Sequence, residues 1–188
     1  MIKIGITGSL ASGKTTASKI LSFKRGPLFS ADLVVKRLYK KQFFIKKIKN
    51  LFKIKGSQNL KNTLKSKILK KSSNLLILEK IIHPIVRKEM IKFKKRNKKN
   101  KLLFFEIPLL IESKLMHHFD IIIFIKARKN TRLKRFISKG GNKNLFKILD
   151  KKQLADIKKI KFCDHVIVNE RNLNILKKNL LDIIDNYV

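Results

Sequence analysis

The spacing of apolar residues changes regularly along this chain. Met1-Ile2-Lys3-Ile4-Gly5-Ile6 reads as a short buried strand, and Thr16-Ala17-Ser18-Lys19-Ile20-Leu21 then opens a helical pattern. Gly26-Pro27 marks a turn before the brief apolar run Leu28-Phe29, which ends at Ser30-Ala31-Asp32. Leu33, Val34, Arg37 and Leu38 restore helical spacing over 33–39. Between 40 and 101 the chain is lysine-rich and its apolar residues keep helical intervals, as in Phe43, Phe44, Ile48 and Leu51, or Leu75, Leu78, Ile81 and Ile82. Two continuous apolar runs follow, Leu102-Leu103-Phe104-Phe105 and Ile121-Ile122-Ile123-Phe124-Ile125, as expected of parallel strands buried on both faces. The pattern then predicts helices over 131–137 and 145–159 around a Gly140-Gly141-Asn142 break, a strand at His165-Val166-Ile167-Val168, and a last helix over 173–186.

Strands alternating with helices predict an α/β fold with a central parallel sheet. The lysine-rich stretch reads as a helical insertion over 40–101, leaving 1–39 and 102–188 as the core and about 138–150 as a lid. No repeat and no Pro- or Gly-rich linker divides the 188 residues, which suffice for one domain with an inserted subdomain.

Composition narrows the setting. A hydrophobic fraction of 44% allows an ordinary core, and a single cysteine, Cys163, excludes an internal disulfide and fits a reducing compartment. No apolar run approaches the roughly 18–20 residues of a membrane span. The first strand begins at once, so no signal peptide is expected and a cytoplasmic protein without membrane partners is. The net charge of +35 comes from 47 Lys+Arg against 12 Asp+Glu. It is spread over the chain and is mostly lysine, beside abundant Asn, Ile and Phe. That pattern reads as drift towards residues with A/T-rich codons, with a general attraction for phosphorylated ligands, rather than as a specific nucleic-acid site.

The chemistry is concentrated in Gly8-Ser9-Leu10-Ala11-Ser12-Gly13-Lys14-Thr15, which fits G-x-x-x-x-G-K-[ST] between the first strand and the first helix. In that context backbone N–H groups and a helix N-terminus converge on an anion. Gly8, Ala11, Ser12, Gly13, Lys14, Thr15 and Thr16 are therefore candidate ATP contacts. Lys14 would neutralise the β- and γ-phosphates, and the Thr15 hydroxyl would ligate Mg²⁺.

Phosphoryl transfer also needs an oriented acceptor and compensation of developing charge. Asp32 follows the second strand on the side where the loop opens, and it is either a general base or a ligand of Mg²⁺ through water, or else the N-cap of the next helix. Glu106 ends an apolar strand, where a carboxylate belongs to the metal's water shell or to a buried ion pair. Arg135 precedes the Gly140-Gly141 loop and is either a phosphate clamp or one more solvated cation.

Taken in order, these segments resemble the dephospho-CoA kinase family over residues 1–169. Residues 6–16 resemble its T-G-G-I-x-S-G-K-S-T loop, and Ser30-Ala31-Asp32 falls where the family has D-A-D. Ile82-His83-Pro84-Ile85 resembles the H-P that begins a helix in the CoA-side domain. Glu106-Ile107-Pro108-Leu109-Leu110-Ile111-Glu112 is similar to acidic-x-P-L-L-x-E. Gln153, Lys159 and Asp164-His165-Val166-Ile167-Val168-Asn169 follow Q-(5)-K and D-x-V-I-x-N.

The resemblance implies a P-loop NTPase-type three-layer fold whose helical insertion binds the acceptor. It implies ATP-dependent phosphorylation of the ribose 3′-hydroxyl of dephospho-CoA, with Mg²⁺. Asp32 would take the hydroxyl proton, Lys14 and Arg135 would contact phosphate, and Asn169 would lie near adenine. His83 would be a substrate contact or an ordinary helix-entry residue, and Glu112 would position acceptor or helix.

Two departures stand out. Ser30 replaces the first Asp of D-A-D, and Lys139 stands where the family usually has Arg, whose bidentate fork a lysine lacks. Another small-metabolite kinase, such as a nucleoside monophosphate kinase, and a basic nucleic-acid-binding ATPase are the alternative readings. The first would need more lid arginines, and the second would need a recognition element that is not visible.

Overall fold

The computed structural model describes residues 1–54 and 59–187. Residues 55–58 of the lysine-rich insertion lie outside them. The apolar runs form β1 (Ile2–Gly8), β2 (Leu28–Ser30), β3 (Leu102–Glu106), β4 (Ile121–Lys126) and β5 (His165–Val168). They make one parallel sheet in the order β2-β3-β1-β4-β5. Every crossover therefore needs a connecting element, and this demand produces the strand–helix alternation of the sequence.

Side chains alternate across the sheet. Ile4, Ile6, Leu102, Phe104, Ile121, Ile123, Ile125 and Ile167 pack with Ala17 and Leu21 of α1 (Lys14–Ser22) and with Leu176, Leu180 and Ile184 of α9 (Leu173–Ile184). On the opposite face, Phe105 packs its ring against Phe29, Phe93 and Phe119. Gly5 lies so close beneath Leu110 and Phe119 that a Cβ there would come within 2.7 Å of Leu110 Cδ1. With both faces covered, the central strands need no polar alternation, and their unbroken apolar runs follow from that.

The chain divides into two compact units, residues 1–31 with 93–188, and residues 32–92. Phe93 packs on Phe29 and Phe105 and so goes with the sheet unit. The helical unit holds α2 (Ala31–Leu38) from Asp32 onward, α3 (Gln42–Leu51), α4 (Leu60–Lys70) and most of α5 (Ser73–Arg96). Its own core includes Leu38, Phe44, Ile48, Leu64, Ile68 and Leu78. Tyr39 packs edge-on to Phe44, and burial raises the pKa of its phenol.

Two local expectations change. His83-Pro84 does not begin a helix; α5 runs through Pro84. Pro84 is exposed, as is Lys80, whose carbonyl loses the donor that proline lacks. The helix expected over 145–159 is two helices, α7 (Lys143–Lys152) and α8 (Asp156–Ile160), separated at Gln153 by extended backbone. No helix among the described residues is long and apolar enough to cross a membrane.

Candidate active site

β1 delivers the glycine loop, and α1 begins at Lys14 immediately after it. Gly13 stands at the helix N-cap with φ +102°, and a Cβ there would meet Asn169 Nδ2 at 2.0 Å. Only glycine combines that backbone with so close a neighbour. The first N–H groups of α1 have no acceptor within the helix and carry the positive end of its dipole. Lys14 is buried, and its ammonium donates to the Ser9 carbonyl at 2.9 Å. Ala11 is left-handed at φ +59°. For an L-residue with a Cβ that conformation costs about 1–2 kcal/mol, so surrounding bonds must hold it.

The strand ends assemble a carboxylate with two hydroxyls. Glu106 is 1% exposed and lies in register with Ile6 on one side and Ser30 on the other. Its two oxygens accept from the Thr15 hydroxyl and, at 2.8 Å, from the Ser30 hydroxyl. By accepting the Thr15 hydroxyl's hydrogen bond, Glu106 turns the lone pairs of that oxygen outward for a cation. Ser30 thus supplies a donor where an aspartate would bring a second negative charge. Thr15 and Glu106 are hard oxygen donors and suit Mg²⁺, which is held by a few protein oxygens together with phosphates and water. Among the described residues no cluster of three His, Cys, Asp or Glu could hold a metal by itself.

The far side of the loop meets α6 (Lys129–Ser138) and the chain after β5. Asn169 Nδ2 donates to the Ser12 carbonyl at 2.8 Å. Arg135 donates to the same carbonyl at 3.3 Å and to the Asn169 carbonyl at 3.1 Å. The structure therefore brings Arg135 and Asn169 together at Ser12-Gly13. Lys139 is exposed at the end of α6.

Sequence reasoning passed over Arg132. Its guanidinium is buried and donates to the Ala127 carbonyl at 3.2 Å, the Leu10 carbonyl at 3.3 Å and Asp150 at 2.5 Å. The signal was the helical spacing of Arg132 and Arg135, which puts both on one face of α6. Gln153, left without a role by its motif, accepts from the Leu10 N–H at 2.9 Å, and Asp156 accepts from the Ser9 hydroxyl. Glu112 pairs with the fully buried Lys159 at 2.7 Å and accepts from the Leu154 N–H at 3.2 Å. The Glu of P-L-L-x-E and the Lys of Q-(5)-K are thus one ion pair.

Two titratable groups stand apart from this cluster. Burial, reinforced by Asp164 and opposed by Lys159, pushes the Cys163 thiol up to about 12. Burial also pushes Asp120 upward, but the hydrogen bonds and charge of Lys3 outweigh it and hold the carboxyl below its usual range.

Asp32 and His83 belong to the helical unit. Asp32 is exposed in the first turn of α2, two residues beyond the end of β2. The same unit contains a cavity of about 490 Å³. Arg37, Lys41 and Lys88 give it positive charge, Val34, Phe43 and Ile85 give it an apolar lining, and Pro84, the neighbour of His83, borders it.

A loop of this construction at the end of a central parallel strand defines the P-loop kinases, and solved structures share the whole architecture. A Thermus thermophilus protein matches with TM-score 0.79 at 25% identity, over 100% of this chain and 98% of its own. Dephospho-CoA kinase from Campylobacter jejuni matches with TM-score 0.68 at 24% identity, over 98% and 96%. Shikimate kinase from Acinetobacter baumannii shares the fold at TM-score 0.58 and 14% identity, over 100% and 96%. At sequence level the family profile described as dephospho-CoA kinase matches residues 2–174. The dephospho-CoA kinase of Rickettsia typhi is 33% identical over 99% of this chain and 97% of its own length. That of Bartonella quintana is 34% identical over 97% and 96%. The chain belongs to the dephospho-CoA kinase family. It is a kinase of coenzyme A biosynthesis that phosphorylates dephospho-CoA with ATP, and neither alternative reading is favoured.

Proposed function

We propose that residues 8–16 hold the ATP phosphates and that Asp32 is the base for the ribose 3′-hydroxyl of dephospho-CoA. In this reading the hydroxyl gives its proton to the Asp32 carboxylate as its oxygen bonds to the γ-phosphorus. The bond from that phosphorus to the ADP oxygen breaks in line, and ADP leaves. Lys14 and the N–H groups at the start of α1 lie against the phosphates and compensate charge as it moves to the leaving oxygen. Arg135 adds positive charge at Ser12-Gly13, and Asn169 borders the adenine end. Thr15, with Glu106 behind it, would hold Mg²⁺, which would supply compensation for the phosphates' negative charge.

The cavity of the helical unit supports a bulky, charged acceptor. Its cations suit a pyrophosphate and its apolar lining suits a pantetheine arm, with His83 as a further substrate contact. Glu112 acts on substrate indirectly, by fixing Lys159 and Leu154. A single cysteine held as a thiol agrees with the cytoplasm, where such a cysteine stays reduced.

The observation that carries the site assignment is the bonding of Thr15 and Ser30 to the buried Glu106 beside the lysine-bearing loop. A coupled assay with purified protein tests it. Dephospho-CoA gives ADP and a 3′-phosphorylated product, AMP gives none, and Asp32→Asn lowers turnover on the order of 10²–10⁴-fold, the usual range for losing a general base. Wild-type turnover in Asp32→Asn would remove Asp32 from the role of base. Efficient use of AMP would remove the acceptor assignment.

A further inference from the structure

The left-handed backbone of Ala11 and the break between α7 and α8 are left unexplained by the reaction above, and they meet at one peptide. The Leu10 N–H donates to Gln153 at 2.9 Å, and the Leu10 carbonyl accepts from Arg132 at 3.3 Å. The neighbouring Ser9 hydroxyl donates to Asp156. The outer bend of the loop is therefore tied at successive groups by side chains more than a hundred residues later in the chain.

Those side chains are themselves held. Arg132 is buried between the Ala127 carbonyl and Asp150, with its guanidinium 5.6 Å from the centre of the Phe146 ring. Gln153 and Asp156 flank Leu154, whose N–H is taken by Glu112, and the Glu112–Lys159 pair fastens the far end of the segment. Because Leu10 uses both backbone groups on these partners, its N–H is not among those left for phosphate. The next residue is Ala11 at φ +59°, a conformation a free chain with a Cβ leaves readily.

We infer that Gln153 and Arg132 are positioning residues that clamp the Leu10 peptide and keep Ala11 left-handed, so that the phosphate loop is formed before nucleotide arrives. This rests on the assignment of residues 8–16 to the ATP phosphates. A loop that must first be ordered binds with an affinity reduced by the fraction of competent molecules. Once nucleotide saturates it, the complex is the same. Loss of the clamp therefore raises KM for ATP and leaves kcat nearly untouched. A Gln153 that merely holds α7 and α8 in place predicts neither that split nor any change confined to the loop.

The experiment uses the full chain, Gln153→Ala, and the double variant Gln153→Ala/Ala11→Gly. It reads amide hydrogen exchange, binding of a non-hydrolysable ATP analogue, and steady-state kinetics. Gln153→Ala is expected to speed exchange over residues 8–16 in the free protein, with β1 and α9 unchanged, and to regain protection at saturating analogue. KM for ATP should rise about tenfold, as for one lost buried hydrogen bond, with kcat within about twofold. Glycine adopts positive φ without penalty, so Ala11→Gly should return about threefold or more of the lost affinity. Wild-type analogue binding by Gln153→Ala overturns the clamp, and so does a fall in kcat at constant KM. Faster exchange spread equally over β1 and α9 overturns it too. If the unmodified chain fails to bind the analogue, the phosphate-loop assignment fails, and exchange in the free protein alone then decides for or against the clamp.

Discussion

The sheet unit and the helical unit use charge in opposite ways. Of the 12 acidic residues only Asp32, Glu79 and Glu89 fall within 32–92, amid a large excess of lysine. In the sheet unit Glu106, Glu112, Asp150, Asp156 and Asp164 each bind a named donor, and four of those donors belong to side chains or peptides that shape the loop or its support. In the helical unit the Lys92–Glu89 ion pair is exposed on a helix surface. Lysine excess is therefore tolerated where it is solvated, while carboxylates stand where geometry needs an acceptor. In a chain this basic, a bonded acidic residue is more informative than any lysine except the buried ones.

The strongest test of this contrast is Lys14→Ala. Loss of the buried loop ammonium should lower kcat/KM by on the order of 10³-fold or more in the coupled assay. Lys159→Ala comes next, because it leaves Glu112 without its partner. Breaking such a pair costs roughly 3 kcal/mol, readable as a lower midpoint in urea unfolding. Lys46→Gln on the exposed face of α3 should shift the same midpoint by no more than about 0.5 kcal/mol. If Lys159→Ala costs no more than Lys46→Gln, the contrast collapses.

Cys163 sharpens it from another side. With its thiol near 12, alkylation at pH 8 should be far slower than for an unperturbed cysteine and should accelerate only as pH approaches that value. Asp120 gives the smallest effect. Its lowered pKa contributes stability that is present above the ordinary carboxylate value near 3.8 and is lost as pH falls through the folded value. Asp120→Asn should therefore be less stable at pH 7 by at most about 1 kcal/mol, since the pair with Lys3 is half-exposed. The difference should vanish in an acid titration of unfolding.

How much of this was legible in the sequence follows from how local each feature is. The strands show as unbroken apolar runs and the glycine loop as a fixed spacing, because burial and a tight turn act on adjacent residues. The split between α7 and α8 does not show. The 145–159 pattern stays helical, and the break comes from Gln153 and Leu154 bonding to Leu10 and Glu112 far away in the chain. Arg132 was lost among 47 cations: its helical spacing with Arg135 is shared by many lysines, and burial is what sets it apart. Ser30 looked like a missing carboxylate. Its position in register with Glu106 shows the hydroxyl to be that residue's donor.

The placement of Glu106 also bears on how the sheet assembles. Leu102-Leu103-Phe104-Phe105 would bury its side chains about as well one residue out of frame, and parallel apolar strands carry little to reject such a slip. Glu106 rejects it. Shifted by one position it would face Phe29 or Ala31 instead of Ser30 and would lose Thr15, leaving a buried carboxylate with no donor, at a cost of several kcal/mol. The residue that orients the loop hydroxyl thus also penalises a shifted strand alignment. An apolar replacement such as Glu106→Leu would remove that check even where it left the finished sheet stable.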